Sequence, residues 1–190
     1  MTVEMVTKVI TARVTVTGAP KGEPAHLPGH SMEHTEIQMS RVVLGNPPEG
    51  MDKVADTVRI RGLLNDSQMH TAMYQLPYND VPGWVSELTR AHVGGGPFPV
   101  LPEGIHTKLL ERATVITLKV DGYPPVEFDG KKIDPEMVMV MKSLLPVPIS
   151  DVVVRGRAME GPLVRDWVKF TPDDDIPSWL RSILWDYEEG

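Results

Sequence analysis

The chain has 190 residues, 41% hydrophobic and 24% charged, with a formal net charge of −7 and no cysteine. Such a composition can bury a real core and is far from the profile of a disordered chain. The acid excess extends over both halves, 8 Lys and Arg against 10 Asp and Glu in residues 1–100 and 11 against 16 in 101–190. Broad electrostatic affinity for nucleic acid or for an anionic membrane is therefore excluded. Without cysteine there is no disulfide, thiol nucleophile or thiolate metal ligand. No apolar run reaches the ~18 residues of a membrane span, and the N-terminus lacks a basic region followed by an apolar one, so a cytoplasmic, soluble protein without a membrane partner is expected.

In chain order, Val6 to Thr17 is β-branched and partly alternating, which predicts a strand. A Gly- and Pro-rich loop follows from Gly18 towards His34, and Thr35 to Leu44 reads as a second strand. In Asp56 to Gly62, Val58 and Ile60 share one face while Arg59 and Arg61 share the other, the mark of a half-exposed strand. His70 to Leu76 can pair with it. A helix then begins with Asp80 as N-cap and Pro82 in its first turn, carries Trp84, Val85, Leu88 and Ala91 on one stripe, and stops at Gly94-Gly-Gly96. Residues 94–104 read as a linker.

Beyond it, Ala113 to Asp121 is a strand, and Val126 to Phe128 a short extended piece. Asp134-Pro-Glu resembles a helix start, so the following Met and Val residues up to Pro146 are assigned to a helix on propensity, against their alternation. Ser150 to Arg157 and Leu163 to Phe170 are expected strands, and Ile176 to Tyr187 a final helix.

The order of elements reads as written twice. VRIRG ending at Gly62 matches VVVRG ending at Gly156, and DVPGWV from Asp80 matches DIPSWL from Asp175. The expectation is an α+β protein made by internal duplication: one module over 1–93 with a loop inserted at about 18–35, a linker at 94–104, and a second module over 105–190. Each would be an antiparallel sheet covered by its C-terminal helix. Trp84 and Trp179 are then structural anchors, since a large apolar residue on a helix stripe is usually packing.

The candidate binding loop holds His26, His30 and His34, which could ligate zinc with Glu33 or Glu36 in support. Pro28 and Gly29 interrupt a helix there, so the regular spacing loses its geometric force. Arg59, Arg61, Arg155 and Arg157 could form basic strand faces, but lack the interleaved aromatics of a nucleic-acid reader. No phosphate loop, Gly-x-Ser-x-Gly or His-Glu-x-x-His is present. No catalytic residue or cofactor is assigned. The leading expectation is a non-catalytic binding or assembly protein, of the kind carried by a bacterial accessory locus or a phage, with a protein partner or a second copy as its ligand. The alternatives are a metal-dependent enzyme using the histidine loop and a small-ligand binder in a cleft between modules.

Overall fold

The computed structural model describes residues 1–18, 35–63, 69–79, 81–145, 147–161 and 164–188. Its strands are β1 (Thr2–Thr17), β2 (Thr35–Leu44), β3 (Val54–Leu63), β4 (Met69–Leu76), β5 (His106–Asp121), β6 (Val126–Phe128), β7 (Lys131–Leu145), β8 (Ile149–Ala158) and β9 (Arg165–Phe170). The helices are α1 (Gly83–Gly94) and α2 (Ser178–Glu188).

All nine strands belong to one antiparallel sheet of order β4-β3-β2-β1-β5-β7-β8-β9, with β6 beside β7. The halves meet at the longest ladder, where β1 pairs with β5 from Thr2 opposite Asp121 to Thr17 opposite His106. Two register shifts, skipping Val6 on β1 and Leu110 on β5, occur within it. Each reverses the in–out alternation, so that Met5 and Ala12, of opposite parity, face the same side. The registers make this explicit: Met5 lies opposite Leu118, Lys8 opposite Ile116, and Ala12 opposite Arg112.

One face of the sheet consequently carries both apolar clusters. The first gathers Val14, Val16, Ile37, Met39, Val58 and Ile60 under Trp84, Val85 and Leu88 of α1. The second gathers Leu118, Val138, Val140, Val152, Val154 and Phe170 under Leu180 and Ile183 of α2. Between strand and helix, Leu88 and Leu180 are fully enclosed, and truncating either to Ala is worth about 2–5 kcal/mol.

The structure overturns the expectation of two α+β modules, each a separate sheet under its own helix. Of the described residues 57% are strand and 14% helix, with one continuous nine-stranded sheet. The physical reason is that β1 and β5 run further than their β-branched cores and pair with each other, so neither half keeps a separate sheet.

The helix expected from Asp134 up to Pro146 is likewise overturned, because Asp134 to Leu145 lie in β7. Val138 and Val140 alternate into the core while Met137, Met139 and Met141 point the other way, and period two prevails over helix propensity. Pro135 is tolerated because it sits at a register shift, where a strand does not need every N–H. At the start of α1 the N-cap is Pro82, without a side-chain cap hydrogen bond. Asp80, expected there, lies outside the described residues.

Candidate functional site

The second face of the sheet has no helix on it among the described residues. Its composition can be read row by row, since residues opposite one another in an antiparallel ladder point to the same side. At one end Thr71, Arg61, Glu36 and Thr15 form a row, followed by Met73, Arg59, Gln38, Arg13 and Glu111. Small polar groups come next, including Thr57, Ser40 and Thr11.

The two central rows are apolar in part. One runs Val42, Val9, Val115 and Met141 and ends at Asp151; the next runs Thr7, Thr117, Met139 and Val153 and ends at Lys169. Beyond them the face turns charged again, with Lys119, Met137, Arg155 and Trp167, then Arg157 and Arg165. Trp167 and Met73 are 51% and 61% exposed.

The end near Arg13 is concave, a groove of about 410 Å³ lined by Thr11, Arg13, Gln38, Ser40, Arg59 and Glu111. Arg13 donates loosely to Glu36 at 3.5 Å and Glu111 at 3.4 Å. At the far end Arg165 approaches Glu136 at 3.5 Å, and where the two central rows end Lys169 approaches Asp151 at 3.2 Å. Arg59, Arg61, Arg155 and Arg157 make no ion pair among the described residues.

These four arginines, singled out from the sequence, thus share one face of one sheet. They are not brought together: β3 and β8 stand five strands apart, about 24 Å at ordinary strand spacing. The residues missed by sequence reading are Met137, Met139 and Met141, whose strict alternation with Val was the signal for a strand face. Of the two tryptophans, Trp84 is buried at 7% exposure, its Nε1–H without an acceptor among the described residues, whereas Trp179 is half-buried and stacked on Tyr123.

Both free edges of the sheet are partly closed by side chains. On β4 the Gln75 N–H donates to Asn79 Oδ1 at 2.8 Å, and the Asn79 N–H returns a bond to the Gln75 carbonyl. On β9 the Trp167 N–H donates to Asp166 Oδ1 at 2.8 Å, while Lys131 Nζ donates to the Trp167 carbonyl at 3.4 Å and lies 5.4 Å from the Trp167 ring centroid. The Trp167 amide, then Lys131, hold the Asp166 carboxyl below its ordinary pKa. On each edge one residue's backbone groups, which could recruit a further strand, are taken up locally.

His26, His30 and His34 lie outside the described residues. Among those described, no group of three or more His, Asp or Glu is placed to hold a metal ion. His92 belongs to the core: it is 5% exposed, on α1, with its ring edge-on to Phe98 at 5.0 Å. Burial, and secondarily the positive charge of Arg112, lower its pKa. The unfolded chain then binds the proton first as pH falls. The contribution of neutral His92 is complete above about pH 6.5, the unfolded value, and is lost as pH drops towards the lower folded pKa. Urea midpoints at pH 7.5 and 5.5 are expected to fall less for His92→Gln than for the unaltered chain; an equal fall in both would remove His92 from the acid response.

Among the described residues no helix is long and apolar enough to cross a membrane. No family model, no curated protein and no solved structure matches the chain.

Proposed function

We propose that this is a non-catalytic assembly protein that docks onto other copies of itself through the helix-free face of its sheet. The reading rests on one observation: the apolar patch of Val42, Val9, Val115, Met141, Met139 and Val153, flanked on one side by the row of Arg155 and on the other, beyond a row of small polar groups, by the row of Arg13 and Arg59. An apolar centre with a charged rim, enriched in Met, Arg and Trp, is the anatomy of a protein interface. Methionine adapts its shape to a partner at little cost. Partial closure of the two sheet edges favours association by the face over strand addition.

Charge selects the geometry. Two such faces packed against each other would bring arginine towards arginine, which costs affinity. The chain has a net charge of −7, and acids also stand off this face, among them the exposed Asp173 and Asp175 just before α2. A face-to-back contact, in which one copy's face receives another's acidic helical side, satisfies both signs. It is a heterologous contact, which builds rings or filaments and not a closed twofold dimer.

Met139→Lys places a charge in the patch without touching the core. Association is expected to be lost in this variant while its thermal midpoint stays within a few degrees of the unaltered chain. Arg155→Glu with Arg157→Glu is expected to weaken association and flatten its salt dependence. If neither variant changes the association state, the face is not the contact.

A further inference from the structure

We infer that a cleft between Tyr123 and α2, remote from the docking face, binds an alkylated ammonium group. The helix presents Trp179, Ser182, Ile183, Asp186 and Tyr187 to it, spaced three, four, seven and eight residues apart and therefore on one side. The turn after β5 contributes Tyr123, whose ring stacks on Trp179 with centroids 4.7 Å apart and planes at 28°. The cleft measures about 600 Å³, with Met1 and, in β1, Val3 also in its wall.

Three features together specify the ligand. The walls supply three aromatic rings, and a ring face attracts cations, tryptophan most strongly. Apart from the α-amino group of Met1, the one formal charge in the lining is the Asp186 carboxylate, and neither Lys nor Arg side chains line the cleft. Asp186 is exposed and has no ion pair among the described residues, so its charge is free to act on what enters. An anion would meet the carboxylate, and a neutral apolar group would forgo both the carboxylate and the ring electrostatics. A diffuse cation with methyl groups uses every wall. Trp84, at the matching place in α1, is buried, so a sheet-covering helix does not of itself require the half-open arrangement of Trp179.

The cation could belong to a free quaternary amine or to a lysine side chain on a partner, and one titration separates them. Tetramethylammonium, the neutral isostere tert-butanol, and a trimethyllysine-containing tripeptide are each titrated while the indole and tyrosine ring resonances are followed. Tetramethylammonium is expected to give saturable shifts of the Trp179 resonance with a Kd in the low-millimolar range, about tenfold tighter than tert-butanol. Tighter binding of the tripeptide assigns the natural source to a partner's side chain, and equal binding assigns it to a free amine.

Asp186→Asn is expected to weaken the cation about tenfold and leave tert-butanol unchanged; Trp179→Leu is expected to abolish the response; Trp185→Phe, outside the lining, is expected to leave it intact. Equal affinity for the cation and its neutral isostere, or full cation affinity in Asp186→Asn, overturns the inference. Because Asp186 is exposed, that variant remains folded and decisive even if Trp179→Leu does not fold. Failure of self-assembly would leave this result standing, since the docking face contributes no residue to the cleft.

Discussion

Replacing Gly156 by alanine is expected to lower the unfolding free energy by about 3 kcal/mol or more, measured by equilibrium urea denaturation. Gly156 lies in β8 opposite Pro135, where the β7 register shifts, and a Cβ there would collide with the Asp134 carbonyl oxygen and crowd the Glu136 amide. Both obstacles are backbone, so no flexible side chain can yield. Gly130 supplies the contrast: its φ is +76°, but a Cβ would meet nothing within 4 Å. Gly130→Ala is expected to cost only about 1 kcal/mol, the conformational penalty alone. Equal losses in the two variants would mean that close approach at the β7–β8 shift is not what requires glycine.

Arg41→Ala is expected to cost about 2–3 kcal/mol in the same assay. Arg41 and Asp56 lie opposite each other on β2 and β3, on the helix-covered face. Their contact is bidentate, Nε to Oδ1 at 2.8 Å and Nη2 to Oδ2 at 2.9 Å, with side chains 24% and 15% exposed. The hydrogen bonds and charge of Asp56 raise the Arg41 pKa despite burial, which opposes them. The guanidinium also lies against Gly94, where α1 ends, and a cation at a helix C-terminus is favoured by the peptide dipoles. Removing Arg41 strands a half-buried carboxylate, the expensive outcome; replacing both partners by apolar residues, Arg41→Met with Asp56→Leu, is expected to recover most of the loss. A single variant within 0.5 kcal/mol of the unaltered chain would show the pair to be solvent-screened.

Local structure was the legible part of the sequence. Thr35 to Leu44 gave β2 with matching ends, and Arg59 and Arg61 alternating with Val58 and Ile60 marked a strand with one wet face. The Trp84 and Leu88 stripe marked α1. What the residues did not reveal was how far β1 and β5 run. Skipping Val6 and Leu110 in their ladder breaks period two, so the reading stopped at Val6 on one strand and Ala113 on the other. The unread ends, Thr2 to Met5 and His106 to Arg112, are part of the ladder that joins the halves. The candidate docking face was hidden for a related reason. Met137, Met139 and Met141 were assigned to a helix on propensity, which erased the one apolar stripe that points away from the core. A face assembled from five strands also has no sequence motif, because its residues are neighbours only through cross-strand register.

Self-association through the helix-free face is tested most directly by sedimentation velocity of the unaltered protein and Met139→Lys, each over about two decades of concentration at low and high salt. The unaltered chain is expected to associate as concentration rises, more strongly at low salt, and Met139→Lys to remain a folded monomer throughout. An unaltered chain that sediments as a monomer at every concentration, or a Met139→Lys chain that associates equally well, would contradict the assignment.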